Sequence, residues 1–555
     1  MGFPLFLVLT LLSGLPSEAL AKEGQHAPHA VPTIPQELIE RPITIQSGIG
    51  TVHDDAAAKL PEAQRFYDQG LAYLHNYVWI EAARSFHQAL RADPNLALAH
   101  VGLSVAYVEL NKPTQAREAI VKAQTLSASS APSVSSAAST SALRATADKS
   151  AAHVRRHVDV RALQMAAEDS PRDAVKLAAY RKALDAAVAA FPSDPEFLVL
   201  RGIAESPDPA DRGQGSVAAS IPYYQRALKL APTHFGAQHV MAHAYENTGQ
   251  MKDAEVFAAL YAAAAPKVPH AVHMHGHELR RLGRITEAIA RFEAADKLER
   301  AYVAREKISA DLDWHYAHNL DLLAASYQYA GQMKKAEALL KQSFGLQTSL
   351  LVQAVNKREW PAFLLARNRP AEALAAAQSL LSHSNLVVQA TGHIESGFAY
   401  LAMNRPADAA NASNAALRAL RGAQAGQELA AIALEALQGE FLLRTGQRDK
   451  GRAVMESAAR KWRSLPGPDA WTQSLFRLEA LARSARAVGD WAFAARMAQL
   501  MLEHDANYAG THLALALVAD HDGNTAAAAR EFAAAVKAWG TADPDLPELK
   551  IARRP

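Results

Sequence analysis

The chain has 555 residues, 50% of them hydrophobic and 21% charged, with a formal net charge of +2 at pH 7. That composition is ordinary for a water-soluble globular protein, and the charge balance excludes a generic basic surface for nucleic acid. Cysteine is absent, which excludes disulfides, a thiolate nucleophile and any cysteine-ligated zinc site.

Residues 1–21 read as a cleavable signal peptide. Phe3 to Leu12 is an apolar run too short to span a bilayer, and Ala19-Leu20-Ala21 is a small-x-small cleavage pattern. That export signal would place a bacterial chain in the periplasm or outside the cell, with no integral membrane span. Residues 22–60 are rich in Pro, Gly and His and read as an extended N-terminal segment, because Pro28, Pro32, Pro35 and Pro42 disfavour helix. Within it Thr44 to His53 is expected as a short strand or clasp.

From Pro61 the texture becomes Ala-rich and helical. Over 61–126 the residues Phe66, Gly70, Tyr73, Ala82, Phe86, Ala89 and Pro94 recur at fixed spacing, and Tyr107, Ala116 and Ala123 follow one unit later. Small residues let paired helices approach, aromatics fill the wedge, and Pro ends the second helix. Residues 127–152 are Ser/Ala low complexity and read as a linker or frayed helix. Residues 153–232 read as irregular helical hairpins leading into an array, with a loop over Ser206 to Gly215. Central repeats occupy 233–345, marked by Ala242, Tyr245, Ala254, Gly276, Ala288, Phe292, Ala324 and Tyr327. Weaker copies fill 346–540, and 541–555 is a polar tail. Gly249, Gly283, Gly331, Gly446, Gly489 and Gly523 fall where left-handed turns between helices are expected.

This spacing resembles the tetratricopeptide repeat (TPR) family. The resemblance implies an all-α fold, a right-handed superhelical solenoid of helix pairs behind an extended N-terminal segment. It also implies a concave groove, lined by the first helix of each pair, that holds a protein or peptide partner. Gly48-Ile49-Gly50-Thr51-Val52-His53 and His270 to Gly283, with Gln238 to Glu246 and Ala542 to Leu549, are similar to an exported bacterial TPR group with an x-His-Met-x-x-His helix. The chain departs from that group at Met274-His275-Gly276, where Pro-Ser is usual in the second and third places. The group has no established activity, so it implies a special role for His273 and His277 and no reaction.

The histidines carry the chemistry. His239 and His243 are four apart. His270, His273 and His277 share one face of the next repeat's first helix, and His318 lies on the helix after that. Under the resemblance all six face the groove, with Glu246 and Asp321 beside them. His275, and His315 ahead of its helix, are read as off this face. Three uses are open. The six histidines could hold zinc or another transition-metal ion, since neutral imidazole suits such ions. They could line a partner groove, with Glu246, Arg280, Arg281 and Asp321 as polar contacts. Or they could simply pack between helices with local hydrogen bonds. A rival class is a metal-dependent, hydrolase-like enzyme using the same centre. There is no Gly-x-Ser-x-Gly elbow and no phosphate-binding loop. His277-Glu278 opens like a metalloprotease motif, but Arg281 stands where the second His belongs.

Overall fold

The structure is a computed structural model that describes residues 32–129, 141–348, 350–423, 426–465 and 468–554. The expected signal peptide lies outside the described residues. Among those that are described, all regular structure is helical and no helix is long and apolar enough to cross a membrane.

A single turn, α1 (Gln36–Ile39), precedes the first pair, α2 (Pro61–His75) and α3 (Trp79–Ala92). Next come α4 (Ala97–Glu109), α5 (Pro113–Ser129), α6 (Ser141–Glu168), α7 (Ala174–Ala190), α8 (Pro195–Ile203) and α9 (Ile221–Leu230). The central array is α10 (Phe235–Asn247), α11 (Met251–Ala264), α12 (Pro269–Arg281), α13 (Ile285–Glu306), α14 (Trp314–Tyr329) and α15 (Met333–Gly345). It continues with α16 (Leu351–Asn356), α17 (Glu359–Ala366), α18 (Pro370–Ser379), α19 (Leu386–Ala402), α20 (Pro406–Gly422) and α21 (Glu428–Arg444). The last elements are α22 (Arg448–Ser464), α23 (Pro468–Ala487), α24 (Trp491–His504), α25 (Ala509–His521), α26 (Thr525–Ala538) and α27 (Pro547–Ala552). Sequential antiparallel packing makes this a helical-repeat solenoid of the TPR type. Of the Ser/Ala-rich stretch 127–152, residues 127–129 finish α5 and 141–152 begin α6; 130–140 lie outside the described residues.

The repeat residues do the packing that their sizes dictate. Phe86 is fully buried between two glycines. A Cβ on Gly70 would stand 2.5 Å from its ring, and one on Gly102 2.3 Å, so both first helices close onto α3. Gly276 does the same for Phe292, with a Cβ at 2.8 Å. The six turn glycines named from the sequence all have positive φ.

The array also closes on itself. Glu306, at the end of α13, accepts from Arg84 Nη1 of α3 at 2.7 Å, and Tyr302 donates to Glu81 at 3.1 Å. One hydrophobic cluster contains Phe66 and Phe86 together with Phe235, Tyr261, Val268 and Met274. Arg280 of α12 donates to Thr472 of α23. Near the C-terminus, Asp543 N–H donates to Gly331 O at 3.1 Å. The segment Thr44 to His53 is extended but forms no strand. Its carbonyls are satisfied individually: Gly48 O accepts from Lys267 N–H at 2.9 Å, and Ile49 O from Asn76 Nδ2 at 2.7 Å. No second strand runs beside it, so the clasp alternative describes it.

Candidate metal centre

Three successive first helices place their histidines in one buried cluster. On α10, His239 and His243 lie one turn apart, with Nε2 atoms 3.2 Å from each other. His270, on the first turn of α12, brings its Nε2 to 3.0 Å from His239 Nε2. One turn further along α12, His273 and His277 face each other through Nε2 atoms 2.6 Å apart. His318 of α14 completes that second set, its ring centroid 4.7 Å from His273 and 5.7 Å from His277. Within each set of three, the ligand atoms lie within 4.8 Å of one another.

Hydrogen bonds on the far side of two rings fix where their protons sit. His239 Nδ1 lies 2.7 Å from the carbonyl oxygen of His75. A carbonyl only accepts, so Nδ1 carries the hydrogen and Nε2 presents its lone pair inward. Asn319 Nδ2 donates to Phe292 O at 3.2 Å, which turns Asn319 Oδ1 toward His273 Nδ1 at 2.7 Å. His273 Nε2 is therefore also a lone pair facing the cluster. In a ring cluster held by hydrogen bonds alone, the single lone pair of His239 would be shared by two neighbours. A metal ion takes one lone pair from each ring. Bonds of about 2.0–2.1 Å at tetrahedral angles put ligand nitrogens about 3.3 Å apart, close to the 3.0 and 3.2 Å seen in the first set.

Burial keeps four of these rings neutral. Desolvation, reinforced by neighbouring imidazoles, holds His239, His270 and His273 well below the usual imidazole range. It brings His243 down to about 4. Neutral imidazole is the ligating form. Glu246 stands between the two sets, its Oε2 4.0 Å from His243 Nδ1 and 4.0 Å from His277 Nδ1, beyond hydrogen-bond reach of either. Burial alone would raise its pKa, but His277, Arg281 and His243 outweigh this and hold the carboxyl below its ordinary value.

His315 corrects the sequence reading, which set it outside the cluster. Helix α14 begins at Trp314, because Asp313 caps it by accepting from His315 N–H at 3.1 Å. His315 is thus helical and one turn before His318. Its ring lies 4.9 Å from His270 and 4.7 Å from His273, bridging the two sets. Its Nδ1 contacts Glu299, and its buried Nε2 has no hydrogen-bond partner. Burial, with neighbouring imidazoles, holds it down to about 3. Burial also pushes the Glu299 carboxyl up to about 7. His275 points away from the cluster, to Glu255 on α11 at 3.1 Å.

Aromatic side chains enclose the centre. Tyr261 stacks on His239 at 4.3 Å, Tyr77 lies 4.7 Å from His239 and 5.1 Å from His270, and Trp314 lies 5.7 Å from His270. Tyr77 has φ +57°, an uncommon conformation for a bulky residue. It is held there by its hydroxyl on Arg212 O at 2.9 Å and by Trp314 Nε1 donating to its carbonyl at 3.0 Å. A cavity of about 160 Å³ reaches the cluster beside Tyr77, Trp314, His270, His315, Glu299 and Asp313. The four residues expected to meet a partner differ in burial, Arg281 and Asp321 being half-buried. Glu246 and Arg280 are 1% and 3% exposed. Arg280 packs on Tyr329 and Trp471, Arg281 stands 3.7 Å from Glu246, and Asp321 accepts from Ser343 at 2.6 Å.

Sequence reasoning missed His315, Asn319, Tyr77 and the His75 carbonyl. Only His315 left a signal: Asp313 as a helix cap moves the start of α14 forward.

No family model matches the chain, and no curated protein matches it. Among solved structures it is similar to the apo form of the quorum sensor NprR from B. thuringiensis, at 12% identity with a TM-score of 0.42, covering 75% of this chain and 99% of that one. It is also similar to a monomeric mutant of IFIT1 with Gppp-AAAA, at 12% identity with a TM-score of 0.33, covering 87% and 90%.

Proposed function

We propose that this protein is a helical-repeat scaffold built around a paired transition-metal centre, with His239, His243 and His270 holding one ion and His273, His277 and His318 the other. The observation that carries this is the fixing of His239 and His273 by acceptors on their Nδ1 side, which aims both Nε2 lone pairs inward. Imidazole ligands suit zinc, copper, nickel or iron. Elemental analysis of the full chain, purified without a histidine tag, tests it. At least two ions per chain are expected, and His273→Ala plus His277→Ala is expected to lose one of them. A wild-type chain that neither retains nor takes up metal sinks the reading.

A second reading, a metal-dependent enzyme, is favoured by one observation. Three protein ligands per ion leave a coordination position open, as catalytic sites do and structural sites do not. The cavity beside His270 and His315 gives a small molecule a way in, and Glu299, with its carboxyl raised to about 7, has the proton affinity of a general acid or base. Azide added to the cobalt-loaded chain should shift the visible spectrum. An unchanged spectrum would mean that the ions are fully coordinated. The use of the groove by a protein or peptide partner is the third reading, and it requires Glu246 and Arg280 to leave their present packing.

A further inference from the structure

We infer that Asp54, His153, His157 and Asp194 form a separate site for a divalent transition-metal ion, which clasps the N-terminal segment to α6 and to the start of α8. None of these residues belongs to the histidine centre, and they come from three distant stretches of chain. Asp54 lies in the extended segment before α2. His153 and His157 are one turn apart on α6. Asp194 is the N-cap of α8.

Their donor atoms converge within 4.8 Å. His153 Nε2 lies 2.7 Å from Asp194 Oδ2, 3.3 Å from Asp54 Oδ1 and 3.3 Å from His157 Nε2. His157 Nε2 lies 3.5 Å from Asp54 Oδ2. Capping commits only one oxygen of Asp194: Oδ1 accepts from Glu196 N–H at 2.8 Å, and Oδ2 is left for the cluster. Tyr67 donates to Asp54 Oδ2 at 3.0 Å.

Hydrogen bonds alone do not satisfy this arrangement. His153 Nε2 has one proton at most to offer and faces two carboxylate oxygens. His153 Nδ1 is buried with no partner. Two carboxylates meet in an apolar cage, where His157 stacks on Phe197 at 4.0 Å and His153 packs against Phe191 at 5.1 Å. Among the described residues only histidines pair with either carboxylate; no Lys or Arg does. Two buried carboxylates this close are costly when both are ionised. One divalent cation balances both carboxylates and takes a lone pair from each imidazole. Two oxygens and two nitrogens form a harder donor set than six imidazoles, suited to zinc, iron or manganese.

Asp54→Asn plus Asp194→Asn tests this with little change of shape, because Asn retains both the helix cap and the acceptor for Tyr67. The full chain is stripped with a chelator and reloaded with Zn²⁺. The double variant should bind one Zn²⁺ per chain fewer than wild type. Zn²⁺ should protect residues 44–60 of wild type, but not of the variant, from limited proteolysis. His273→Ala plus His277→Ala should leave that protection in place, which separates this site from the histidine centre. An equal zinc content in wild type and the Asp variant overturns the inference. If the double variant does not fold, Asp54→Asn alone carries the test, since Asp54 lies outside every helix. It should bind Zn²⁺ at least 10-fold more weakly at this site in chelator competition, and unchanged affinity overturns the inference equally.

Discussion

At the scale of single residues, the proposed centre depends on atoms that would never face an ion. Asn319 decides which nitrogen of His273 is bare. Asn319→Leu keeps the bulk and removes the acceptor, and loss of such an outer partner typically costs 10–100-fold in metal affinity. Chelator competition at constant folded content checks this; an unchanged affinity would show that the His273 tautomer is set elsewhere. Tyr77 is strained in its backbone so that its ring can cover His239 and His270. Tyr77→Asn accepts the same φ without the ring, so metal should leave faster while the melting temperature changes little. The pH dependence follows from burial. His243 and His100 are lowered to about 4 and His315 to about 3, in each case chiefly by desolvation. In the unfolded chain these imidazoles titrate near about 6.5. As pH falls from there toward 4 the unfolded chain takes up protons that the folded one refuses, so stability is lost on acidification. The metal-free chain should melt several degrees lower at pH 5 than at pH 7, and equal melting temperatures would contradict a cluster of buried neutral rings.

At the scale of helices, α12 is the element with least freedom. It carries His270, His273 and His277 on one side and rests Gly276 against Phe292 on another. Gly276→Ala drives a Cβ to 2.8 Å from that ring, an overpacking that typically costs about 1–3 kcal/mol. It should also move the two triads apart. Thermal melting and metal content should fall together, and normal values of both would mean that α12 has room to shift. The helices themselves were legible in the sequence: Gly70, Tyr73, Ala82 and Phe86 at repeat spacing, and the turn glycines, mark pairs that the structure contains. The face shared by His239, His243, His270, His273, His277 and His318 was legible too, because it depends only on residues per turn and repeat length. His315 was not, since its membership depends on where α14 starts. Tyr77 was not, since the Asn beside it, Asn76, is right-handed and the Tyr itself takes the left-handed position that Gly or Asn usually marks.

At the scale of the molecule, what the sequence could not disclose is closure. Repeat spacing describes neighbours, whereas Arg84 with Glu306 joins residues 222 positions apart. That contact joins the first repeat to the array, and the same repeat supplies the His75 carbonyl to His239. Glu306→Ala removes the acceptor and leaves Arg84 with Glu81 alone among its carboxylate partners. We expect a lower melting temperature and weaker metal retention at the first triad, with the second less affected; equal loss at both would show that the first repeat does not act through His239.

His75 has two unlike neighbours. Its carbonyl meets His239, while its ring bonds Glu196 at 3.0 Å, and Glu196 N–H is bound by Asp194. A single last turn of α2 therefore stands between the clasp and the six-imidazole core. Any ion that tightens one end draws on the same short piece of backbone that orients the other. If ions fill both places, any coupling between them is reciprocal, each ion altering the hold on its counterpart by an identical factor.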